Sequence, residues 1–258
     1  MISTPPVGRP FLTASWRDLV VVNYKIDPEL LTPYLPQGTI LDTWQGECFC
    51  SVIGFRFLDT RLKGVSIPNH INFEEVNLRF YVRRELHGKD GPETRRGVVF
   101  IRELVPKKAI AMVARILYNE KYSAVPMSHS VEESLSGRIL SYSWQVRGGH
   151  NSVVAHTSGE PVPIIESSES EFILEHYWGY SSGRFGQTIE YQIHHPRWRI
   201  WPEATVSIEL DVEKTYGPQF FETLNRPFHS AFVAEGSSVT VFSGRRLNGV
   251  NPLESAAR

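Results

Sequence analysis

The chain has 258 residues, with 27 Lys and Arg residues against 28 Asp and Glu residues. This length suits one large domain with its own core, and the balanced charge disfavours a nucleic acid or a charged membrane surface as partner. The longest apolar runs are too short to cross a bilayer, and the start does not resemble a secretory signal. We therefore expect a cytoplasmic protein with a single domain over 1–258, in which 1–10 and 245–258 are extended or disordered.

The first elements predicted are a strand, a short helix and a second strand. The β-branched stretch 18–26 favours a strand. Asp27 followed by Pro28 is typical of a helix N-cap and first helical position, and nearby prolines end this helix within about two turns. Residues 47–58 read as a strand, in which Cys48 and Cys50 lie on the same face, a poor geometry for a disulfide. We expect two small, reduced, buried cysteines.

The clearest alternation in the chain covers 73–84. One face is apolar and consists of Val76, Leu78, Phe80 and Val82. The other face consists of Glu75, Asn77, Arg79 and Tyr81. A glycine-rich, charged turn over 88–97 leads into 98–104, so these two strands should form a hairpin. The alternation leaves open whether the polar face points to solvent or into a cavity.

Both helices and strands are predicted in the rest of the chain. Apolar spacing predicts a helix over 106–118, and strands 138–146 and 152–157 flank a glycine turn at 147–150. Ser168 and Glu171 form a capping box for a helix through Trp178, closed by Gly179. Further strands are predicted at 186–195, 204–212 and 230–243. The expected fold class is α+β, dominated by an antiparallel sheet that closes into a barrel.

The residues with the most chemical information are Lys107 and Lys108. Pro106 suits the first helical position, which places both lysines at the positive end of a helix dipole. The dipole, the like charge and any burial all favour a neutral amine, and a neutral amine attacks a carbonyl to form a Schiff base. The alternative is a pair of exposed, solvated lysines.

Other candidates are Glu75, Asn77 and Arg79, which form either a pocket wall or a solvated ion pair. Arg17 could hold a carboxylate in a bidentate pair, although most single arginines do not. His194 and His195 would point to opposite faces of a strand, so no metal site is expected. Without a phosphate-cradling loop or a nucleophile elbow, we also expect no cofactor, and most nucleotide enzymes and common hydrolases are excluded.

The segment RELVPKK at 102–108 resembles the signature of the acetoacetate decarboxylase superfamily, a strand ending in Arg-Glu followed by Pro-Lys-Lys. Four other stretches are similar to the uncharacterised YqjF-like group of that superfamily: FEEVNLRFYV at 73–82, ARILYNEKY at 114–122, FILEHYWGY at 172–180 and HHPRW at 194–198. The resemblance implies a double-split β-barrel with a few short helices around an internal cavity. It also implies a homo-oligomer.

The resemblance assigns roles by position. Lys107 matches the Schiff-base lysine, Lys108 the neighbour that lowers its pKa, Glu75 a pocket carboxylate and Arg17 a pocket arginine. A second pocket carboxylate is expected within 49–55, where this chain has none.

Three functions follow as hypotheses. The first is a lyase in which Lys107 attacks a small keto acid or aldehyde, Glu75 moves a proton, and Arg17, Asn77 and Arg79 bind the substrate. Decarboxylation, aldol-type condensation and dehydration stay open. The second is a non-catalytic barrel that binds a small molecule. The third is a structural partner protein, which should have a large apolar surface patch and no internal cavity.

Overall fold

The computed structural model describes residues 8–88, 91–107, 121–183 and 186–247. Within these ranges the chain forms a twelve-stranded sheet and a four-stranded sheet, together with a few short helices. Almost all strand pairs are antiparallel, the exceptions being two short parallel pairings. The predicted α+β class, dominated by antiparallel sheet, is therefore confirmed. None of the helices in the described ranges has the length and apolar character to cross a membrane.

The strands, in chain order, are β1 (Pro10–Lys25), β2 (Ile40–Leu41), β3 (Phe49–Leu62), β4 (Phe73–Gly88), β5 (Gly91–Val105), β6 (Tyr122–Ala124), β7 (Met127–Ser134), β8 (Gly137–Val146), β9 (Gly149–Ser158), β10 (Val162–Pro163), β11 (Trp178–Ser182), β12 (Thr188–His194), β13 (Arg199–Trp201), β14 (Thr205–Glu209), β15 (Ser230–Phe242) and β16 (Arg245–Leu247). The described helices are α1 (Pro28–Leu31), α2 (Glu169–Leu174), α3 (Val212–Thr215) and α4 (Phe221–Leu224). Two 3₁₀ turns add Thr32–Tyr34 and Pro218–Phe220.

The order of pairing in the larger sheet brings distant segments together. It runs from β15 through β1, β3, β4, β5 and β11 to β12, and β12 pairs again with β15 through Ile193 and His194. The smaller sheet has the order β14, β9, β8, β7. Its buried face packs with the apolar face of β4 in one core, because Tyr142 and Trp144 of β8 share a cluster with Leu78 and Phe80.

Several local predictions are confirmed. Asp27 caps α1 by accepting a hydrogen bond from the backbone N–H of Glu29 at 2.9 Å, with Pro28 at the first position. β8 and β9 form the predicted hairpin. Its turn consists of Arg147 and Gly148 alone, with φ values of 48° and 75°, the positive φ pair that a tight type I′ turn requires.

The β4–β5 hairpin is confirmed, but its predicted turn over 88–97 is too long. Pairing continues to Gly88 opposite Gly91, so 91–97 belongs to β5. The charged side chains of 91–97 do not interrupt the strand, because they form ion pairs within β5 and with Glu190 on β12. Arg95 bonds Glu93 at 2.8 Å and, with Arg84, the buried Glu190 at 3.0 Å.

The helix predicted from the Ser168 capping box is shorter than expected. Ser168 does accept a hydrogen bond from the Glu171 N–H at 3.2 Å, but α2 ends at Leu174 and Trp178 begins a strand. Gly179 therefore does not close a helix. A Cβ added at Gly179 would lie 2.1 Å from the Tyr191 ring, so this glycine leaves room for that ring to pack over the backbone of β11.

The predicted helix over 106–118 lies almost wholly outside the described residues. Pro106 and Lys107 are described and belong to no helix or strand. Lys108 and the rest of that segment, to residue 120, are outside the described ranges.

Candidate functional site

A partly open cavity of about 170 Å³ lies between the larger sheet and the segment that joins β3 to β4. Its polar side is formed by β4, β5 and β6, which contribute Glu75, Asn77, Arg79, Glu103 and Tyr122. Its aromatic side chains are Phe11, Trp16, Phe55, Phe57, Phe73, Phe100 and Tyr191. A small space with mainly apolar walls and a few convergent polar groups is the usual form of a small-molecule site.

The alternation along β4 explains why its polar residues face this cavity. Val76 and Leu78, on the other face, are fully buried in the core beneath the smaller sheet. Since successive side chains of a strand point to opposite faces, Glu75 and Asn77 must point away from that core. Both are only 2% exposed, so the polar face is a pocket wall and not a solvated surface.

Glu75 is held by two side-chain donors. Asn77 donates to its Oε1 and the Tyr122 hydroxyl donates to its Oε2, each at 3.0 Å. Burial raises the pKa of Glu75 from 4.5 to about 7, against the opposing effect of these hydrogen bonds and of the Arg79 charge. A carboxyl group with this pKa can take up or release a proton near neutral pH, as a general acid or base must.

A second carboxyl group, Glu103, enters the same wall from β5. It lies directly across from Asn77 and is 1% exposed. A β-bulge decides this placement. Residues 79–88 pair with 91–100 in one register, and past the bulge Leu78 pairs with Arg102, leaving Ile101 as the extra residue. Without it, Arg102 would stand across from Asn77.

Glu103 and Tyr122 were not among the predicted site residues. Glu103 had a sequence signal, since it stands in the RELVPKK segment, but the bulge that turns it inward leaves no mark in a hairpin pattern. It supplies a second carboxyl group from β5, whereas the resemblance placed one on 49–55, in the strand on the other side of β4. Tyr122 reaches the site because β6 pairs with β5 at Glu103.

Several side chains of the lining keep a buried polar atom without a hydrogen-bond partner in the described part of the chain. These atoms are Trp16 Nε1, Thr60 Oγ1, Asn77 Oδ1 and Arg79 Nε. A buried polar atom left unpaired costs free energy.

The structure brings together only part of the predicted site. Glu75, Asn77 and Arg79 line the cavity, whereas Arg17 and Lys107 are half-buried and are not among the described residues that line it. Arg17 donates to the backbone carbonyl of Gly236 at 3.1 Å. Lys108 lies outside the described residues.

The candidate metal ligands of the sequence stay apart. His194 is exposed and His195 is buried, so the two imidazoles point away from each other as predicted. Cys48 and Cys50 are free, buried thiols. In the described ranges no three His, Cys, Asp or Glu side chains come together as a metal site.

Comparison with known proteins places the chain in a family. Residues 13–238 match DUF2071, which is described as an uncharacterised conserved protein. The chain belongs to the DUF2071 family. A relative, the uncharacterised protein YqjF of Bacillus subtilis (strain 168), is 23% identical over 209 residues, which cover 79% of this chain and 81% of YqjF. The predicted membership of the YqjF-like group is confirmed.

Solved structures show which fold this DUF2071 chain adopts. Acetoacetate decarboxylase from Legionella pneumophila matches with a TM-score of 0.63 and 15% identity, over 95% of this chain and 90% of that one. The enduracididine biosynthesis enzyme MppR, complexed with pyruvate, matches with a TM-score of 0.61 and 12% identity, over 96% of this chain and 94% of MppR. At such low identities the likeness concerns the fold, which is acetoacetate decarboxylase-like.

Proposed function

We propose that this DUF2071 protein binds a small carbonyl compound in its cavity and that Glu75 exchanges a proton with it. The observation that carries the proposal is a buried carboxyl group, hydrogen-bonded at both oxygens, on the wall of a mainly apolar cavity. Two solved neighbours support it, since one is an acetoacetate decarboxylase and the other was solved with pyruvate. We further propose that the circuit of strand pairings is the double-split barrel that the resemblance implies.

The proton exchange follows from the surroundings of Glu75. Its carboxylate form can accept the proton of a carbon next to a carbonyl group, and its protonated form can return a proton to the carbonyl oxygen or to carbon. Tyr122 and Asn77 fix the orientation of the carboxyl group. Arg79 places a positive charge beside any negative charge that develops on the substrate.

Schiff-base chemistry by Lys107 is the second candidate function. Lys107 follows by two residues the end of β5, the strand that brings Glu103 into the cavity wall. Its side chain is half-buried. In this hypothesis Lys107 attacks the keto group and Glu75 transfers protons, as in a lysine-dependent lyase. A non-catalytic binding barrel is the remaining alternative.

Trapping with borohydride separates these functions. The protein is incubated at neutral pH with a panel of small keto acids and aldehydes, reduced, digested and analysed by peptide mass spectrometry. A substrate-dependent adduct on Lys107, absent from Lys107→Ala, would support the lyase. Labelling spread over surface lysines would contradict it.

Proton exchange is tested separately by deuterium incorporation on the carbon next to the carbonyl group, for each bound ligand that has a hydrogen there. We expect exchange by the wild type and by Lys107→Ala, and a loss of about 10²-fold or more in Glu75→Gln. Asp59→Asn, at an exposed carboxyl group outside the described cavity lining, is the matched control. Equal exchange by Glu75→Gln and the wild type would contradict a catalytic role for Glu75. If a ligand binds but neither the wild type nor any variant exchanges its proton, the non-catalytic binding barrel is the function that remains.

A further inference from the structure

The volume of the cavity gives a first indication of what fills it. Its volume is about 170 Å³. An engineered protein cavity of about 150 Å³ binds benzene, so this space suits one six-membered ring with a small substituent.

The walls favour a flat ring in that space. Phe57 and Phe73 stack with their ring centroids 4.6 Å apart and 12° between their planes. Trp16 meets Phe55 and Phe57 edge-on, at centroid distances of 5.5 and 5.6 Å. An aromatic ligand extends such a set through stacked and edge contacts, whereas an open-chain ligand makes fewer of them.

The charges of the lining disfavour an anion. The described lining contains two carboxyl groups, Glu75 and Glu103, one guanidinium, Arg79, and one imidazole, His70. The Arg79 guanidinium already donates to the backbone carbonyl of Ile173 at 3.1 Å. A ligand carboxylate would lose its hydration beside two carboxyl groups, and a neutral molecule avoids that cost.

The polar wall suits a neutral oxygen substituent. Glu75 lines the cavity, and the protonated form of its carboxyl group is a donor from which a carbonyl oxygen accepts a hydrogen bond.

We propose that the cavity selects a neutral aromatic carbonyl compound of about the size of benzaldehyde over a short keto acid. This inference rests on the proposed function, because it specifies the ligand of the same cavity. Benzaldehyde itself carries no hydrogen on the carbon next to its carbonyl group, so it serves only as a probe of binding.

Calorimetric titration with four probes at pH 7 tests the ring and the charge separately. Benzaldehyde is aromatic and neutral, benzoate is aromatic and anionic, pentane-2,4-dione is open-chain and neutral, and acetoacetate is open-chain and anionic. We expect benzaldehyde to bind about tenfold or more tightly than each of the others. Benzoate, pentane-2,4-dione or acetoacetate binding as tightly as benzaldehyde would overturn the inference and leave the proposed function standing. If none of the four probes binds, both the inference and the proposed function are overturned.

A matched pair of variants tests whether the rings carry the selectivity. Phe57 and Phe232 are 6% and 5% exposed and belong to the same apolar cluster, but Phe232 is not among the described lining residues. We expect Phe57→Leu to weaken benzaldehyde binding about five- to tenfold and pentane-2,4-dione binding by less than twofold. Phe232→Leu should change neither.

The lining residue Phe100 provides a second variant, Phe100→Leu, should Phe57→Leu fail to fold. A circular dichroism spectrum unchanged from the wild type identifies the folded variants. Unchanged benzaldehyde binding in a folded variant of either position would overturn the aromatic selection.

Discussion

Both faces of β4 are largely buried and yet differ in what they do. On one face, Val76 and Leu78 have no exposed surface and pack in the core with the smaller sheet. On the other, Glu75 and Asn77 are 2% exposed and line the cavity. The difference teaches that burial alone does not separate a core from a site in this fold. The apolar face stabilises the protein, whereas the polar face costs stability because a carboxyl group has lost its hydration.

The largest effect is expected on the apolar face. Leu78→Ala should lower the free energy of unfolding by about 2–5 kcal/mol, because it removes buried methyl groups and leaves a void in a close-packed core. Urea unfolding at pH 7 measures this loss. Val65→Ala, at a side chain that is 65% exposed, is the control and should stay within about 0.5 kcal/mol. A loss for Leu78→Ala no larger than that of the control would remove the contrast between the faces.

On the polar face, by contrast, we expect a substitution to raise the free energy of unfolding. Because burial raises the pKa of Glu75 from 4.5 to about 7, the folded protein binds its proton more tightly than the unfolded chain does. The wild type should therefore lose stability as the pH rises from about 4.5 to about 7, through ionisation of this one group. Above that range the carboxylate is ionised in both states, and the cost of burying it is about 3 kcal/mol.

Glu75→Gln removes this titration while keeping the shape of the side chain. We expect the variant to exceed the wild type in unfolding free energy by up to about 3 kcal/mol at pH 8, with the gap closing by pH 4. Denaturant unfolding across that pH range measures the gap. Glu222→Gln, at an exposed carboxyl group, should show no such trend. A gap that does not depend on pH would contradict a raised pKa for Glu75.

A smaller effect should follow from Tyr122→Phe. The change removes the hydroxyl that donates to Glu75 Oε2, so the pKa of Glu75 should rise further and the protein should lose about 1 kcal/mol at pH 8. The stability decline with pH should extend to a higher pH. In the control Tyr142→Phe, the lost hydroxyl donates to the backbone carbonyl of Asp18, so stability should fall without that extension. Identical pH profiles for the two variants would argue that Tyr122 does not tune Glu75.

Much of the fold was predictable because its signals are local. The alternation over 73–84, the Asp27 cap and the glycine turn at 147–150 each act within a few residues, and the structure agrees with them. The helix predicted from Ser168 was too long because strand pairing outweighed a weak local preference. Trp178 and Gly179 pair with both β12 and β5, and that pairing ends α2 at Leu174.

The candidate site was predictable only where its residues lie close together in the sequence. Glu75, Asn77 and Arg79 share a strand face, so their grouping needs no knowledge of the rest of the molecule. The aromatic side of the cavity comes from β1, β3, β4, β5 and β12, most of which are distant from one another in sequence. Glu103 depended on one extra residue in β5, and a one-residue change of register moves a side chain to the other face.

The sequence by itself therefore determined the antiparallel class, the Asp27 cap, the turn between β8 and β9, and the two-faced character of β4, since each depends on residues a few positions apart. Only the tertiary structure decided that the polar face points into a cavity, and that Glu103 and Tyr122 join Glu75 there while Arg17 bonds Gly236 instead. The physical reason is that these outcomes depend on strand pairings between distant segments. Their registers are set by the packing of the whole sheet and not by any local pattern.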